Sequence, residues 1–354
     1  VRVSSGPQMS YEFYPSSFRT WQAMFAAIKE ARGSVYLETY IFLDDLHHFN
    51  FLKLLSQKAE EGVRVRIVLD AFGSRKLPKA SVLALRLAGA EVFFYSNLLH
   101  RIHRKILLVD ERVAFIGGVN FHQVALRWTD LTLKIRGRLV NSILRSFAKV
   151  YAECGGRDPR ILAENRKLIL DRTRTWIVEH FPQENMKQSA ALKKIYKKAL
   201  ARTEKHVILV TPYFMPKRWF VRALHQAVLR GVKVEVIVPK ISNHLIGDTV
   251  GRFFMYQLSL LGVRFYLEPK MNHAKCMLID GRDGLVGSNN LDFFSFELNS
   301  EVGVYLKSPK AVRELSVIIE EWKNRSVLFD PELYHPKLLD YILAPIVSLF
   351  SRIF

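Results

Sequence analysis

The sequence predicts an α/β fold built from two related halves, each a sandwich with strands between helices. The first observation is an internal repeat, in which amphipathic helical patterns and short apolar strand patterns occur twice in the same order. The second is spacing: His103 and His273 are 170 residues apart, and so are Gly117 and Gly287. The third is that 354 residues with 49% hydrophobic content can bury a large core. Two residue pairs at one offset indicate duplication.

The elements of the first half follow one another as helix and strand. Trp21–Arg32 has the apolar spacing of an amphipathic helix, and the apolar run Ser34–Phe42 behind it predicts a strand. Gly62–Leu69 and Ala88–Phe94 predict two more strands, each preceded by a helical pattern. This alternation is typical of α/β units.

The second half repeats these elements in the same order. Leu192–Arg202 matches the helix and His206–Phe214 the strand behind it. Gly231–Val238 and Leu261–Leu267 match the two later strands. We therefore expect the same architecture in both halves.

These patterns divide the chain into four parts. We predict a first half over residues 1–153, a basic connector over 154–187, a second half over 188–334 and a tail over 335–354. The tail has apolar residues in a helical stripe and is too short to span a bilayer. It is expected either to dock on the protein or to lie in the plane of a membrane surface.

Composition limits the class of protein. The net charge of +20 points to an anionic partner, which can be nucleic acid, a lipid surface or a phosphate substrate. Two cysteines, Cys154 and Cys276, allow neither a disulfide framework nor a cysteine-rich zinc site. The chain has no long uncharged apolar run. Its first residue is Val1 rather than Met, which leaves open that an upstream segment with a membrane anchor has been removed.

A polar motif follows the third strand pattern of each half. It consists of His, any residue, Lys, four apolar residues and Asp. On a strand, side chains at positions i and i+2 share a face, so His and Lys of each copy point the same way. The Asp stands seven positions after the His, an odd offset that places it on the other face of a regular strand. This favours a role in a turn or an ion pair over direct catalysis. The six motif residues are His103, Lys105, Asp110, His273, Lys275 and Asp280.

Two His-Lys pairs at one site suit phosphodiester chemistry. One neutral imidazole can attack phosphorus while the other, protonated, gives its proton to the leaving alkoxide. Asp130, 27 residues after His103, and Glu301, 28 residues after His273, are expected to accept a proton from the second nitrogen of the imidazole in their own half. Asn120, Ser288 and Asn290 are expected to help the lysines hold the phosphate oxygens. This scheme needs no metal.

The paired motifs resemble those of the phospholipase D superfamily, over Tyr11–Tyr305. Within it, further segments are similar to bacterial cardiolipin synthases. These segments are Ile116–Asn120, Gly287–Asp292, Ser295–Phe296 and Asn299–Glu301. The chain departs from the family pattern at Phe294, where many members have Arg.

The resemblance implies two pseudo-symmetric halves of the phospholipase D type that share one active site at their interface. It implies His103 as the nucleophile and His273 as the acid and base, with the lysines and aspartates of both motifs in the catalytic set. It also implies transfer of a phosphatidyl group between two phosphatidylglycerol molecules, which gives cardiolipin and glycerol without a cofactor. The expected partners are anionic phospholipids and a membrane surface, not nucleic acid. The expected location is the cytoplasmic face of a bacterial cell membrane, as a peripheral protein.

Several alternatives stay open at this point. A phosphatidylserine synthase or a hydrolytic phospholipase D would share the same catalytic residues, and a nuclease of the superfamily would use the basic charge on a nucleic-acid backbone. A membrane scaffold with a vestigial site would have lost motif residues, and none is missing. The phosphatidyl acceptor and the oligomeric state do not follow from the sequence.

Overall fold

The computed structural model describes residues 9–97, 99–165, 175–182 and 191–336. These ranges contain strands and helices in alternation. The strands are β1 (Ser10–Ser16), β2 (Ser34–Thr39), β3 (Arg64–Asp70), β4 (Glu91–Tyr95), β5 (Arg101–Ile102), β6 (Ile106–Val109), β7 (Val113–Gly117), β8 (Thr129–Arg136), β9 (Thr175–His180), β10 (His206–Val210), β11 (Phe214–Met215), β12 (Lys233–Pro239), β13 (Arg264–Glu268), β14 (Cys276–Ile279), β15 (Asp283–Gly287), β16 (Leu291–Asp292), β17 (Asn299–Leu306) and β18 (Val327–Leu328). The helices are α1 (Ser17–Glu30), α2 (Phe51–Glu60), α3 (Lys79–Leu87), α4 (Leu139–Glu153), α5 (Pro159–Asn165), α6 (Ala191–Arg202), α7 (Arg218–Leu229), α8 (Leu245–Ser259), α9 (Phe293–Glu297) and α10 (Pro309–Asn324).

The two large sheets share one topology. The first has the order β1-β8-β7-β6-β2-β3-β4 and the second β18-β13-β12-β10-β14-β15-β17-β5, with β9 also on β17. Without the edge strands, β8-β7-β6-β2-β3-β4 corresponds to β17-β15-β14-β10-β12-β13. β2, β3 and β4 are parallel to one another, and so are β10, β12 and β13. The motif strands β6 and β14 are antiparallel to β2 and β10. The predicted α/β fold of two related halves is confirmed.

The hydrophobic core has three parts. One cluster joins the facing sides of the two sheets through α4 and α10, with Phe147 and Ile319 fully buried in it. The second lies between the first sheet and α1, α2 and α3, and the third between the second sheet and the outer helices of its half. Burial of this apolar surface holds the halves together, and it fixes the sheet edges that carry the motifs.

The strands begin and end differently from the sequence patterns. β3 and β12 start two residues after Gly62 and Gly231, whose φ angles of 86° and 82° are left-handed and close the preceding helices. β10 ends at Val210, before Pro212, which has no N–H for a ladder hydrogen bond. The apolar pattern therefore located each strand but not its ends.

The predicted connector contains regular structure where it is described. α5 lies in it, and β9 pairs antiparallel with β17, so this part of the chain extends the second sheet. Residues 166–174 and 183–187 of the connector lie outside the described residues, and so does the predicted tail helix over Leu338–Phe354. Over the ranges described, none of the helices is both long enough and apolar enough to cross a membrane.

Candidate active site

Each motif histidine lies in a short irregular segment at the boundary between the two halves. His103 stands between β5 and β6, and its backbone N–H donates to the Ser300 carbonyl at 3.0 Å. His273 stands before β14 and donates to the Thr129 carbonyl at 2.7 Å. β5 pairs with the start of β17, and Thr129 at the start of β8 forms a bridge to Asn272. Each histidine segment is therefore held by the other half.

The same contacts between the two halves place a carboxylate beside each imidazole. Nδ1 of His103 lies 3.0 Å from Glu301, and Nδ1 of His273 lies 2.8 Å from Asp130. The expectation that each carboxylate serves the histidine of its own half is wrong, because the residues just before each carboxylate, at the start of β8 and of β17, pair with the histidine segment of the opposite half. The carboxylate at Nδ1 leaves Nε2 of each ring for chemistry.

The two carboxylates are supported differently. Glu301 accepts hydrogen bonds from the hydroxyls of Ser288 and Ser295, the latter at 2.7 Å. Asp130 accepts the backbone N–H of Leu131 at 2.7 Å. Gly118 occupies the place that Ser288 has in the other half, and a Cβ there would lie 2.3 Å from Asp130 Oδ1. The first half thus has an aspartate beside a glycine with a backbone N–H as its donor, whereas the second half has a glutamate that accepts hydrogen bonds from two serine hydroxyls.

The electrostatics of the two pairs differ accordingly. Burial lowers the pKa of His103 to about 4, which the charge of Glu301 opposes only in part, and burial also holds the pKa of His273 well below its usual value. Burial alone would raise the pKa of Glu301, but His103, Lys105 and Ser288 outweigh it and lower that pKa. For Asp130, burial prevails and raises the pKa to about 7. Glu301 is therefore ionised at neutral pH, whereas the Asp130–His273 pair takes up a proton there.

The two lysines carry the positive charge of the site. Nζ of Lys105 donates to the His103 carbonyl at 2.6 Å, and Nζ of Lys275 donates to the His273 carbonyl. Burial lowers the pKa of Lys105 to about 7 and that of Lys275 to about 8. Lys275 also lowers the pKa of His103, so the two motifs act on each other. A bound phosphate would favour the charged form of both amines.

The motif aspartates lie at the far end of their strands. Each lies five positions after the lysine of its motif, about 16 Å away along an extended strand at 3.3 Å per residue. Asp110 accepts backbone N–H groups of Arg32, Gly33 and Ser34, and Asp280 those of residues 204–206. Both have left-handed φ angles, 52° and 49°, in the tight turn after the motif strand. They fasten that turn to the neighbouring loop and do not reach the imidazoles.

The three residues predicted to help bind phosphate differ in whether their side-chain donors are already hydrogen-bonded. Ser288 gives its hydroxyl proton to Glu301, and Asn290 donates its side-chain N–H to Asp292 at 3.2 Å. Asn120 accepts from the Ile41 N–H through its side-chain oxygen and donates no side-chain hydrogen bond within the described residues. Of the three, Asn120 is the group best placed to donate to a phosphate oxygen.

An internal ion pair that was not predicted lies behind the first motif. Arg104 is fully buried, and its guanidinium contacts Glu38 at 2.8 Å and Ser146 at 2.8 Å. Burial raises the pKa of Glu38 to about 7 despite this partner. In the second motif the same position is Ala274, so only the first half places this pair behind its histidine.

Aromatic rings flank both imidazoles. The Tyr40 ring lies 5.1 Å from the His103 ring, edge to face, and Nζ of Lys105 lies 5.5 Å from the centre of the same tyrosine. Trp128 lies 5.2 Å from His273, and Tyr213 lies 6.4 Å from it. These rings reduce the access of water to the imidazoles, which fits their lowered pKa values.

A duplicated α/β fold that brings two buried His-Lys pairs to one boundary defines a class: enzymes that handle phosphodiesters with two histidines. The family described as "Cardiolipin synthase, PLD-like domain" matches residues 24–151 and 196–322, once in each half. The chain belongs to this family, and the predicted membership of the phospholipase D superfamily is confirmed.

Curated relatives carry the same description. The probable cardiolipin synthase YwiE of Bacillus subtilis is 28% identical over 94% of this chain and 70% of its own length. The cardiolipin synthase of Geobacillus kaustophilus is 29% identical over 93% of this chain and 69% of its own length. The chain therefore spans about seven tenths of these relatives.

Solved structures share the fold at low sequence identity. Phosphatidylserine synthase from Haemophilus influenzae superposes with a TM-score of 0.72 at 15% identity, over 97% of this chain and 93% of that one. Polyphosphate kinase from Porphyromonas gingivalis gives a TM-score of 0.63 at 13% identity, over 98% of this chain and 54% of that one. At these identities the likeness concerns the fold.

Proposed function

We propose that this protein is a cardiolipin synthase that transfers a phosphatidyl group from one phosphatidylglycerol to another and releases glycerol. The observation that carries the proposal is the pair of buried imidazoles, each oriented through Nδ1 by a carboxylate from the opposite half. The product, cardiolipin, is given by the names of the curated relatives, and phosphatidylglycerol as the substrate follows from the resemblance to bacterial cardiolipin synthases. Both halves would be required for one site.

In the first step, Nε2 of His103 attacks phosphorus and the bond from phosphorus to the glycerol oxygen breaks. Glu301 accepts the Nδ1–H hydrogen bond and stabilises the imidazolium that forms. The leaving oxygen takes a proton from Nε2 of His273, which is hydrogen-bonded to Asp130. Lys105, Lys275 and the amide of Asn120 hold the non-bridging oxygens.

In the second step, a hydroxyl of another phosphatidylglycerol enters where glycerol has left. His273, now neutral at Nε2, accepts the proton of that hydroxyl as its oxygen attacks phosphorus. The bond from phosphorus to His103 breaks, and cardiolipin forms. The proton returns to the Asp130–His273 pair, so both histidines recover their starting states.

The two pairs are suited to these different roles. The His103–Glu301 pair is a neutral imidazole beside an ionised carboxylate at neutral pH, as a nucleophile requires. The Asp130–His273 pair takes up a proton near neutrality, as a general acid requires. This difference supports His103 as the nucleophile and His273 as the acid and base.

A product analysis tests the proposal. Incubation with phosphatidylglycerol vesicles, followed by mass spectrometry, should give cardiolipin and glycerol in equal amounts. Phosphatidic acid as the main product would indicate a hydrolytic phospholipase D, and phosphatidylserine formed from an activated lipid and serine would indicate a phosphatidylserine synthase. Cleavage of nucleic acid without any lipid product would indicate a nuclease.

Three further expectations belong to this proposal. We place the limits of the halves at 1–153 and 188–334, on either side of the connector. The motif aspartates contribute through the turns that they fasten. The substrates require the protein to work at the surface of an anionic membrane, and we place it there as a peripheral protein on the cytoplasmic face.

We expect full activity in excess EDTA. In the proposed site, Lys105 and Lys275 supply the positive charge that a divalent ion supplies in many phosphoryl-transfer enzymes. Turnover of phosphatidylglycerol should therefore change by less than about twofold on chelation. The assay needs a control for vesicle aggregation by divalent ions. Loss of turnover in EDTA with recovery on adding one divalent ion would contradict the proposal.

We expect kcat/KM to have a plateau between about pH 4 and about pH 7. Below it, His103 becomes protonated and loses its nucleophilic lone pair, since its pKa lies at about 4. Above it, the Asp130–His273 pair loses the proton for the leaving group, and Lys105 loses its charge, since the pKa values of Asp130 and Lys105 lie at about 7. A soluble short-chain substrate gives the free-enzyme profile. An activity that rises from pH 7 to pH 9 would contradict this assignment.

A further inference from the structure

Exposed apolar side chains lie at the edge of the sheets where the active-site histidines stand. Six of them are 50% to 80% exposed and lie on loops or helix starts at the edge of the sheets where the histidines stand. We call them the rim surface: Phe72, Leu99, Val124, Ile241, Leu245 and Phe294. His103 is only 7% exposed and His273 only 4%, so both imidazoles lie below the surface at this edge.

On the side of His103, the rim is joined to the site by short chains of contacts. Phe72 shares a loop with Ser74, whose hydroxyl donates to the Tyr40 carbonyl at 3.0 Å. The Tyr40 ring lies against His103. Phe294 is 53% exposed and precedes Ser295, which holds Glu301.

Leu99 connects these two parts of the rim. It precedes His100, whose Nδ1 lies 3.1 Å from the carbonyl of Leu298 at the end of α9. α9 is the helix that carries Phe294. The loop with Leu99 and the helix with Phe294 are thus in direct contact.

On the side of His273 the arrangement is similar. Leu245 and Ile241 lie on either side of the loop that contains His244, and the His244 ring lies 5.1 Å from Tyr213, which faces His273. Val124 lies in the short 3-10 helix Gln123–Arg127, and Trp128, which packs against His273, follows directly.

Cations lie between the apolar side chains. The guanidinium groups of Arg75 and Arg101 lie 4.5 Å and 4.8 Å from the centre of the Phe72 ring. Nζ of Lys217 lies 5.0 Å from the Phe293 ring, next to Phe294, and also pairs with Glu297 at 2.7 Å. Arg127, Lys240 and Lys270 are further cations on these loops, and all three are exposed.

We propose that the rim surface docks the opening of the active site onto an anionic phospholipid bilayer. Separate apolar side chains with exposed cations at the same edge of the sheets suit the boundary between headgroups and acyl chains, where the apolar group enters and the cation meets a phosphate. A nucleic acid would use the cations but gain nothing from aliphatic groups such as Leu245 and Ile241. The inference rests on the proposed function in one respect: the lipid substrate is the reason why the active site should face the bilayer.

The test compares two sets of substitutions in the full chain. The rim triple carries Phe72→Ser, Val124→Ser and Leu245→Ser. The control triple carries Leu87→Ser, Leu229→Ser and Leu260→Ser, at side chains that are 64% to 80% exposed. The control residues stand at the carboxyl ends of the helices before β4, β12 and β13, on the opposite edge of the sheets. Both sets remove comparable apolar groups and leave every charge in place.

Co-sedimentation with phosphatidylglycerol vesicles at fixed salt is the measurement. We expect the rim triple to bind at least about tenfold more weakly than the unchanged protein, and the control triple to stay within about twofold. Equal binding by the rim triple and the unchanged protein would overturn the proposal and assign the rim to another partner, such as a protein. Equal loss in both triples would overturn it as well, because location would then not matter.

Activity separates this inference from the proposed function. On short-chain phosphatidylglycerol below its micellar concentration, the rim triple should keep its turnover within about twofold, which also shows that it is folded. On vesicles its turnover should fall with its binding. If the unchanged protein forms no cardiolipin from either lipid while the rim triple still loses vesicle binding, the proposed function fails and the docking surface stands.

Discussion

Replacing Glu301 by Gln is expected to lower kcat by about ten-thousand-fold with little change in KM. In the protein, Glu301 accepts a hydrogen bond from Nδ1 of His103 at 3.0 Å, which keeps Nε2 free for attack. An amide in that place can donate to Nδ1 instead. The proton of the ring then moves to Nε2, and the attacking lone pair is lost. The measurement is steady-state kinetics on a short-chain phosphatidylglycerol.

Glu235→Gln is the matched control. Glu235 is also buried on a strand of the second sheet and accepts a hydrogen bond from a histidine, with His206 Nε2 at 2.8 Å. It lies on β12, away from His103 and His273, so its replacement can change stability but should leave kcat within about threefold. Thermal unfolding of both variants separates loss of fold from loss of catalysis. A kcat of Glu301→Gln within tenfold of the control would remove Glu301 from the proposed mechanism.

The sequence was sufficient for the architecture because the repeat is long and periodic. Two helix-strand series at one offset predict two similar sheets without any knowledge of contacts between them. The ends of the strands were harder to predict, since glycines with left-handed φ angles and the packing of loops determine where each strand begins and ends.

The motif residues were predictable, but their partners were not. Spacing along the chain favours pairing within one half, whereas the first residues of β8 and β17 pair with the histidine segment of the other half. The exchange of Glu301 and Asp130 between the histidines follows from this tertiary pairing, which has no local pattern. Ser295 was part of the family resemblance, but its hydrogen bond to Glu301 was not predicted.

The ion pair between Arg104 and Glu38 could not be predicted from the sequence, for a different reason. A charged residue between His103 and Lys105 suggests a solvent-exposed side chain, yet the alternation of side chains turns Arg104 into the core between the sheets. Glu38 on the neighbouring strand and Ser146 on α4 pair with the guanidinium and make this burial tolerable. A single sequence gives no sign that the two meet.

The sharpest test of the proposed roles is which histidine becomes bonded to phosphorus. The halves have the same topology, but Glu301 is held by Ser288 and Ser295, and Asp130 has a backbone donor and a bare glycine beside it. If this difference sets the roles, His103→Ala should lose turnover by about ten-thousand-fold or more and form no phosphatidyl-enzyme.

His273→Asn should behave differently with a substrate whose leaving group is an aryl oxide, because such a group departs without a proton. Attack by His103 should then release about one equivalent of the aryl oxide per enzyme in a burst. Turnover should stop there, since no base at position 273 remains to activate the incoming hydroxyl. Quenching at neutral or alkaline pH, where a phosphorus-nitrogen bond to imidazole survives, followed by peptide mapping, should place the adduct on His103.

The alternative outcomes are equally clear. An adduct on His273 in the His103→Ala variant would reverse the two roles while the family assignment stands. If neither variant gives a burst or an adduct in a single turnover, the stereochemistry at phosphorus decides. Two successive displacements retain configuration and one direct displacement inverts it, so inversion with a chiral substrate would exclude the covalent intermediate. Retention would keep the intermediate and show that both histidines are needed to form it, because a protonated His273 at Asp130 would then have to act already in the first attack.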